Sequence, residues 1–421
     1  MYRIHFGMEV MNNNLIISKI AMKKIFYFLS LMLLSSIYLS SCKPEEVDVH
    51  DTKINAFDLI PTVEGRKVVV TRVDTTYTSN DSITLKWNRT NAENGTPVYY
   101  SVVFAGENGD FDNPVYSITS NSLGWIDTLK ISPELLNIAA ERCGIPADST
   151  GTVRWKVKAG NGVVNTLSSS ESSFQVTRPL GFAEYPSTLY ILGTATEAGD
   201  SLSKAIKGSY VRKGTFEFIT TLQPGNYYFA DKKNAKDYQV NNGLINLGKN
   251  SVSPATSNQL YRIRMVFYKK QSNIFEIQKM ELIIPDRASS TTSIPNEGLS
   301  VAELEYMGNG VWQKLNFPAL KPDGTDITNG QQYKFRMSGI FTGDTTPTSY
   351  YYGYFTDSDP NANAGVPNST SPESYFYCKE TNNLDKNFYR FGNAKGKKLN
   401  VTIYLTPGLK NYYHNCTILE E

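Results

Sequence analysis

Histidine is scarce in this sequence: only His5, His50 and His414 occur among 421 residues. Serine–histidine–aspartate triads and histidine-rich metal centres depend on this side chain as base or ligand. The composition therefore argues strongly against both classes of site before any motif is considered.

Charged residues are also few, at 19% of the chain, and they are nearly balanced. Beyond the first 41 residues there are 38 positive and 39 negative side chains. Such a balance provides no global electrostatic attraction to nucleic acid, so we expect no nucleic-acid partner.

The runs of Ala, Leu and Glu that are typical of helical bundles are missing as well. Aromatic residues make up 12% of the chain, and 27 residues are tyrosine. A chain this aromatic and this weakly charged is not expected to be disordered. At roughly 100–200 residues per domain, its length predicts two to four domains.

The amino terminus has the pattern of a secretory signal. Met22-Lys23-Lys24 precedes the apolar run Ile25 to Leu39, whose 15 residues are too few to cross a bilayer easily. The run ends at Leu39-Ser40-Ser41-Cys42, which resembles a bacterial lipobox. We therefore predict a signal peptide over residues 1–41, with the true start at Met22, and lipid attachment at Cys42.

Residues 42–54 form a polar stretch that includes Glu45, Glu46 and Asp48. The stretch has neither strand nor helix periodicity, so we predict a lipidated flexible tether. Its acidic segment is similar to the export signal that directs Bacteroidetes-type lipoproteins to the outer face of the outer membrane. We expect an outer-membrane location, with the protein facing the cell exterior.

Three cysteines, Cys143, Cys378 and Cys416, remain once Cys42 carries lipid. An odd number in an exported protein leaves at least one free thiol. Cys143 lies in an apolar helical segment and is expected to be buried. Cys378 and Cys416 share the last domain, and the sequence leaves open whether they pair.

Residues 55–178 alternate between apolar and polar side chains, as in Ile83-Thr-Leu-Lys-Trp87, which is typical of half-buried antiparallel strands. One helix interrupts them, with Ser132 as its N-cap and Gly144 at its end. We predict an immunoglobulin- or fibronectin-like sandwich. The tryptophans expected in its core are Trp87, Trp125 and Trp155.

Two further β-sandwich units are predicted over residues 187–285 and 300–421. They share a weak repeat, because Gly214-Thr-Phe216 parallels Gly310-Val-Trp312 and each is followed by a strand with alternating aromatic residues. The predicted fold class is all-β, with tandem immunoglobulin- or fibronectin-like sandwiches and one short helix in the first.

The order of these features resembles SusE-type outer-membrane lipoproteins. A lipobox precedes a sandwich that contains Ile83-Thr-Leu-Lys-Trp87, the helix Pro133-Glu-Leu-Leu-Asn137 and the strand Val153-Arg-Trp-Lys-Val157. Leu189-Tyr-Ile-Leu-Gly193 is similar to the start of the β-sandwich modules that follow in SusE and SusF. The resemblance implies a surface glycan-binding protein that performs no catalysis. It also implies two partners, a polysaccharide or oligosaccharide and a TonB-dependent SusC/SusD-type transporter.

The second unit is predicted to be a spacer or a vestigial glycan-binding module. In the starch-binding relatives a tryptophan soon after the strand Leu-Tyr-x-x-Gly helps to form the sugar platform. The corresponding stretch here, Thr194 to Leu202, contains no aromatic residue.

The third unit is the predicted site of glycan binding. Sugars need flat aromatic faces beside hydrogen-bonding groups, and two tyrosine clusters flank a loop of about twenty residues that is rich in Asp, Asn, Pro and Gly. The candidate residues are Tyr350, Tyr351, Tyr352, Tyr354, Tyr375, Tyr377, Trp312 and Arg336. Alternating tyrosines also form ordinary cross-strand pairs, and Trp312 aligns with Phe216, so a structural role stays open.

The loop itself is a weak candidate for calcium, because Asp357, Asp359 and Asn361 place oxygen-bearing side chains at every second position. Asn368 stands where an EF-hand has its last acidic ligand. We therefore predict a solvated turn, with no metal site and no cofactor.

Two other functions compete with glycan binding. A glycoside hydrolase would need paired carboxylates, and acids are available at Glu303, Glu305, Asp323 and Asp326 without a recognisable motif. A surface adhesin or structural scaffold would share the fold and the anchor. Only the family resemblance separates the adhesin from the glycan-binding protein.

Overall fold

A computed structural model describes residues 53–285, 298–356, 358–359, 362–368, 370–381, 386–407, 409 and 411–420. The predicted signal peptide, Cys42 and the tether up to residue 52 lie outside these ranges. Within them the chain forms 28 strands and one α-helix. The predicted all-β fold with a single short helix is confirmed.

The first unit is a sandwich of two sheets around one hydrophobic core. Its strands are β1 (Leu59–Ile60), β2 (Lys67–Val73), β3 (Thr76–Ser79), β4 (Ile83–Trp87), β5 (Tyr99–Ala105), β6 (Tyr116–Thr119), β7 (Thr128–Ile131), β8 (Thr150–Gly160), β9 (Asn165–Leu167) and β10 (Ser172–Thr177). One sheet has the order β1-β4-β7, and the other has the order β3-β2-β10-β8-β5-β6 with β9 beside β8. Alternation buries one face of each strand, as Ile83, Leu85 and Trp87 of β4 demonstrate.

Helix α1, Pro133–Arg142, has the ends that its sequence predicts. The hydroxyl of Ser132 accepts a hydrogen bond from the backbone N–H of Leu135 at 3.3 Å, and Pro133 begins the helix. Gly144 follows the helix in a left-handed conformation, with φ of 85°. In the part of the chain that the structure describes, no helix is long and apolar enough to cross a membrane.

The prediction that all three tryptophans of the first unit are core residues is correct for two of them. Trp87 and Trp155 are buried, whereas Trp125 is 49% exposed. Trp125 lies between β6 and β7, directly after a turn in which Ser122 and Leu123 both have positive φ. Because this turn belongs to no strand, sheet alternation does not place its side chains. The Trp125 ring packs edge-on against Tyr99 at 4.9 Å.

The second and third units form one continuous system of hydrogen-bonded strands. The second unit contains β11 (Tyr190–Leu192), β12 (Ile206–Lys207), β13 (Ser209–Arg212), β14 (Thr215–Leu222), β15 (Asn226–Asp231), β16 (Lys236–Asn241), β17 (Leu244–Leu247), β18 (Ser251–Val252) and β19 (Gln259–Val266). The third contains β21 (Leu299–Gly308), β22 (Val311–Pro318), β23 (Gln332–Phe341), β24 (Thr348–Tyr354), β25 (Tyr377–Thr381), β26 (Tyr389–Arg390), β27 (Lys398–Tyr404) and β28 (Tyr412–Leu419). One long strand, β20 (Gln271–Ile284), joins them.

Strand β20 serves both units. Residues Gln271 to Glu276 pair with β19 of the second unit, and Phe275 to Ile283 pair with β23 of the third. The last strand of one sandwich is therefore also the first strand of the next, which the sequence did not predict. Residues 286–297, which follow this strand, lie outside the described residues.

The strand pairings confirm the internal repeat. In the second unit the hairpin β13–β14 is followed across the sheet by β19 and β20, and in the third the hairpin β21–β22 is followed by β27 and β28. Gly214 and Gly310 form the two hairpin turns with φ of 68° and 71°. Phe216 and Trp312 are buried at equivalent positions. Each position of the third unit can therefore be compared with one in the second.

Arg72 of β2 links the first unit to the second through hydrogen bonds. Its guanidinium donates hydrogen bonds to the carbonyl of Phe182 and the hydroxyl of Tyr185, both at 3.0 Å. It also donates to the carbonyls of Leu180 and Tyr268. The segment between Arg178 and Pro186, which joins the two units, is therefore packed between them.

A buried ion cluster joins the second unit to the third. Arg262 and Arg264 of β19 each lie 2.7 Å from the carboxylate of Glu217 on β14, and both also contact Glu380 of β25. The hydroxyl of Tyr412 donates to Glu217 at 3.0 Å. Burial alone would raise the pKa of the Glu217 carboxyl, but the two arginines lower it below its ordinary value. Glu217 is therefore ionised and holds the third unit against the outer face of the second.

Replacing the carboxylate tests this cluster. We expect Glu217→Gln to lower the free energy of unfolding of the second and third units by about 3–5 kcal/mol, because Arg262 stays buried without its main partner. Chemical denaturation of residues 43–421 measures the change. The matched control is Glu305→Gln, whose side chain is 78% exposed and which should change stability by less than about 0.5 kcal/mol. Equal effects at the two positions would contradict the assigned role.

His414 lies in the core of the third unit. Its Nδ1 is 3.0 Å from the carbonyl oxygen of Phe376, and its Nε2 is 2.9 Å from the hydroxyl of Tyr333. The carbonyl requires a proton on Nδ1, so Nε2 accepts from the tyrosine. Burial lowers the pKa of this imidazole to about 3.

A histidine that is protonated in the unfolded chain but neutral when folded makes stability depend on pH. The unfolded side chain takes up a proton near its ordinary pKa of 6.5, whereas the folded one stays neutral down to about pH 3. Stability should therefore fall as pH drops below about 6.5, by up to ~1.4 kcal/mol per pH unit. Denaturation between pH 7.5 and 5 measures the slope, and His414→Gln should flatten it. An unchanged slope in that variant would assign the effect to other groups.

The three cysteines in the described ranges are free thiols, so the disulfide that the sequence left open is not formed. Cys378 pairs in register with Tyr412, which places Cys416 four residues further along β28. At about 3.3 Å per residue, this offset exceeds the Cα separation of roughly 7 Å that a disulfide can bridge.

Candidate functional site

Five of the eight predicted glycan-binding residues are buried in the third unit. They are Trp312, Arg336, Tyr351, Tyr352 and Tyr375, each less than a tenth exposed. A sugar cannot stack on a ring whose faces are covered by protein. The structure therefore corrects the expectation that these side chains form an exposed platform, and their placement supports the structural role that the sequence left open.

The rings of Tyr350 and Tyr354 are half-buried and packed between other side chains. Tyr350 lies 4.2 Å from the Arg262 guanidinium and 5.1 Å from the ring of Phe275, at the junction of the two units. Tyr354 packs against Tyr375 at 5.9 Å. Strand β24 is covered on both faces, which the alternation of its sequence did not indicate.

Arg336 and Trp312 have internal partners. The guanidinium of Arg336 lies 2.9 Å from the carboxylate of Glu281 on β20, so its charge is already paired. Trp312 packs against Tyr306 with ring centres 5.1 Å apart. Neither side chain faces solvent as a sugar-binding group would.

The candidate calcium loop lies largely beyond what the structure describes, because Asp357 and Asn361 are outside the described residues. The backbone N–H of Asp359 donates to the hydroxyl of Thr356 at 2.9 Å, which is a local turn contact. Among the residues that the structure describes, no group of three or more His, Cys, Asp or Glu side chains could hold a metal ion.

One predicted residue, Tyr377, does lie on an outer face, and it has tyrosine neighbours that the sequence analysis missed. Tyr377 of β25 is in register with Tyr413 of β28, which is in register with Tyr404 of β27. Residues directly opposite each other in antiparallel strands point to the same side of the sheet. We call Tyr404, Tyr413 and Tyr377 the tyrosine row.

The tyrosine row faces away from the core. The residues next to it along the strands, Ile403, His414 and Cys378, are buried in the core, whereas the three tyrosines are half-buried. Tyr404 and Tyr413 stack with ring centres 4.4 Å apart and planes within 14°. Burial raises the pKa of Tyr413, with a further contribution from Tyr404, so its hydroxyl stays protonated and can donate hydrogen bonds.

A second row on the same face supplies hydrogen-bonding groups. Gln313 of β22, Thr402 of β27 and Asn415 of β28 are in register, two residues along from the tyrosine row. The amide of Gln313 donates to the hydroxyl of Thr402 at 3.0 Å. Thr402 is buried, Gln313 is half-buried and Asn415 is exposed. We call these three residues the polar row.

The second unit lacks the tyrosine row. Val266 pairs with Thr215, the residue after Gly214, and Tyr404 pairs with Val311, the residue after Gly310. These two pairings align the outer face of the second unit with that of the third. The residues of the second unit that correspond to Tyr404, Tyr413 and Tyr377 are Val266, Gln271 and Leu244. The aromatic face is therefore specific to the third unit.

The second unit also lacks a free face at these positions. Its counterparts of Gln313 and Thr402 are Glu217 and Arg264, which belong to the ion cluster that the third unit covers. The third unit packs on the second through this surface, while its own equivalent surface carries the tyrosine and polar rows. The equivalent face of the third unit is therefore not part of the contact between these two units.

Sequence reasoning could have found Tyr404 and Tyr413. Thr402-Ile403-Tyr404 and Tyr413-His414-Asn415 alternate with period two, so each tyrosine lies on the side of a neighbouring polar residue and opposite a core residue. The predicted site was placed instead at the dense tyrosine clusters around Tyr350 and Tyr375. Density of aromatic residues indicates a core at least as often as a surface.

Stability measurements distinguish the buried tyrosines from the row. We expect Tyr352→Ala to lower the free energy of unfolding by about 3–5 kcal/mol, because it removes a fully buried ring from the core. Tyr404→Ala, at a half-buried surface position, should cost about 1 kcal/mol. Thermal or chemical unfolding of the two variants measures both changes. A larger loss for Tyr404→Ala would place that ring in the core instead.

Comparison with known proteins supports the family resemblance. Residues 45–158 match the model of the SusE outer membrane protein family. The SusE-type resemblance expected from the sequence is thereby confirmed over most of the first unit. No curated protein sequence matches the chain.

Among solved structures, the chain is similar to SusF from Bacteroides thetaiotaomicron. The two are 10% identical, and the match covers 87% of this chain and 77% of that one, with a TM-score of 0.23. At this TM-score the two chains do not superpose as whole molecules, so the likeness carries no weight for fold or site.

Proposed function

We propose that this chain, whose first unit matches the SusE family, is a lipid-anchored surface protein that captures polysaccharide or oligosaccharide and performs no catalysis. The carbohydrate surface is the outer face of the third unit, which carries the tyrosine row and the polar row. The observation that carries the proposal is that three half-buried tyrosines align in register on the outer face, beside the amides of Gln313 and Asn415.

The chemistry of the face suits a sugar chain. A sugar ring presents C–H groups on one side, which pack on aromatic rings, and hydroxyls around its edge, which need donors and acceptors. Tyrosine offers both, since its ring is apolar and its hydroxyl remains wet. Adjacent strands are about 4.8 Å apart, so the tyrosine row presents several contacts in line rather than one pocket.

The polar row would orient the bound sugar through hydrogen bonds. The amides of Gln313 and Asn415 can each donate and accept, which matches the hydroxyls of a sugar edge. Shallow contacts of this kind are individually weak. Several along one chain, or several copies on one surface, raise the effective affinity without a deep pocket.

The second unit serves as a spacer. Its equivalent positions carry Val266, Gln271 and Leu244, and the neighbouring part of its face is occupied by the ion cluster. A shared strand and a buried cluster give a stiff connection, which suits a module that holds another one away from the membrane. The binding face therefore lies in the third unit, which is the furthest of the three from the lipid anchor along the chain.

The remaining parts of the proposal concern location and partners. Lipid on Cys42 would anchor the protein in the outer membrane facing the exterior, and residues 43–54 would tether it. A TonB-dependent SusC/SusD-type transporter would receive the captured glycan. The protein would thus raise the local concentration of polymer at the transporter.

No catalytic role is assigned to the acids considered for hydrolysis. Glu305 is exposed and lies 3.8 Å from Lys314, while Asp323 and Asp326 accept hydrogen bonds from Thr325 and the backbone of Gly396 within loops. General acid catalysis by a carboxyl needs a raised pKa, and the pKa of Asp323 is lowered by its hydrogen bonds with Thr325.

Affinity electrophoresis of the exported chain in gels that contain neutral and acidic polysaccharides tests the proposal. We expect retardation by at least one polymer, with retention reduced at least about tenfold by the triple change Tyr377→Ala, Tyr404→Ala and Tyr413→Ala, since each stacked ring contributes roughly 0.5–1.5 kcal/mol. The matched control is Trp125→Ala, which removes an exposed aromatic ring from the first unit. It should leave retention unchanged.

Three outcomes would contradict the proposal in different ways. Retention that survives the triple change but falls with Trp125→Ala would move the site to the first unit. Release of shortened sugars from a retained polymer would indicate a hydrolase. Absence of retention with every polymer would favour the adhesin or scaffold.

A further inference from the structure

The described chain enters the first unit beside the connection between β4 and β5. The backbone N–H of Glu93 donates to the carbonyl of Lys53 at 2.9 Å, and Ile54 forms a β-bridge with Ala92. The 11 steps from Cys42 to Lys53 span at most about 40 Å, since an extended chain covers no more than about 3.6 Å per residue. We call the end of the sandwich that contains this connection, residues 88–98, the anchor end.

The second unit is attached at the opposite end of the first. Strand β10 ends at Thr177, which pairs with Thr150 at the start of β8. Strand β8 then runs along the sheet to Gly160, which pairs with Tyr99, the first residue after the connection at the anchor end. The anchor end is therefore the end of the first unit that lies away from the second.

Four large apolar side chains are exposed at the anchor end. They are Tyr99 at 43%, Trp125 at 49%, Val163 at 50% and Leu123 at 88%. Leu123 and Trp125 lie between β6 and β7, and Val163 lies on the turn between β8 and β9. The Trp125 ring packs edge-on against Tyr99, and its carbonyl accepts a hydrogen bond from Arg89 at 3.2 Å. These contacts hold the β6–β7 turn against the anchor end, with Leu123 projecting into solvent.

The backbone of this turn is unfavourable for the residue that it exposes. Ser122, Leu123 and Gly124 have φ of 53°, 58° and 94°. The left-handed region suits glycine and asparagine, whereas a bulky side chain such as leucine is disfavoured there. A leucine that projects into water contributes no burial to offset this cost. Strain of this kind is typical of positions that contact a partner.

The anchor end has few charges. Residues 88–98, 120–127 and 161–164 contain only Arg89, Glu93 and Asp127 as charged side chains. Segments that are drawn to anionic lipid by charge carry clusters of lysine and arginine instead. A surface that binds here would therefore be held by apolar contact, and salt would have little effect on the binding.

We infer that the anchor end rests on the membrane that holds the lipid anchor, with Leu123, Trp125 and Val163 inserted at the lipid–water interface. Tryptophan and tyrosine suit that depth, because each combines an apolar ring with a polar group. The short tether keeps this end close to the membrane, which favours a lipid surface as the occupant. The inference rests on the lipid anchor of the proposed function, and it adds an orientation in which the second unit projects away from the membrane.

Fluorescence quenching by brominated lipid tests this contact. Residues 43–421, with a hexahistidine tag at the amino terminus, are attached to phosphatidylcholine vesicles through nickel-chelating lipid. Vesicles with and without brominated phosphatidylcholine are compared. Trp87, Trp155 and Trp312 are buried, so Trp125 is the tryptophan that the bromine atoms can reach. We expect bromination to quench its emission to the same extent at low and high salt.

Two substitutions remove apolar contact and leave the reporter in place. The double change Leu123→Asn and Val163→Asn should reduce the quenching at least about twofold. Asparagine tolerates the left-handed conformation at position 123, so thermal unfolding should show no loss of stability there. The matched control is Val73→Asn, which changes a residue that is 79% exposed at the opposite end of the first unit. It should leave the quenching unchanged.

Four results would overturn the inference. Absence of quenching would assign the exposed residues to a protein partner. Quenching that survives the double change, or that falls equally with Val73→Asn, would show that these side chains do not make the contact. Quenching that disappears at high salt would indicate attraction by charge.

Affinity electrophoresis without lipid separates this inference from the proposed function. The double change should leave the retention of residues 43–421 by polysaccharide as it was. Quenching by a chain that no polysaccharide retains would sustain the membrane contact and overturn sugar capture. Retention by polysaccharide without quenching in vesicles would sustain sugar capture and overturn the membrane contact.

Discussion

Strand β20 provides main-chain hydrogen bonds to two sandwiches at once, and the arrangement of the last two units depends on it. Because the end of one module is the beginning of the next, the two sheets cannot rotate freely about a linker. The orientation that results presses the third unit against the outer face of the second. Glu217 and Arg262 are then removed from water, and Arg264 and Glu380 are partly buried beside them. This burial is tolerable only because the charges compensate each other.

The packing of the third unit on the second covers the outer face of the second unit. Each sandwich has an outer sheet face, and in a series the next module covers it. The second unit carries a charged pair where it is covered, and the third carries Gln313 and Thr402 at the same positions, with a tyrosine row beside them. The difference between two copies of one fold thus separates a surface that contacts a neighbouring module from the surface that we propose binds a sugar. The proposed sugar-binding role follows from that contrast more than from any single residue.

The sequence predicted the parts of the fold that local rules control. Alternation placed Ile83, Leu85 and Trp87 in the core, and the capping residues Ser132 and Gly144 marked both ends of the helix. It did not predict that β20 would run through two modules, because a strand of either unit has the same pattern. Nor did it place Tyr351 and Tyr352, since covering both faces of β24 is a consequence of tertiary packing. The sequence did not indicate the tyrosine row either, because its three members become neighbours only through the register of three strands.

Hydroxyl-radical footprinting of residues 43–421, with and without a mixture of neutral and acidic oligosaccharides, would show whether sugar covers the outer face of the third unit. Oxidation of tyrosine and tryptophan side chains reports their access to solvent, and mass spectrometry assigns it to peptides. We expect sugar to lower the oxidation of Tyr377, Tyr404 and Tyr413 while Trp125 is oxidised as before. Unchanged oxidation of these tyrosines, together with protection of Trp125 and Tyr99, would show that the sugar binds to the first unit and that the outer face of the third has another role.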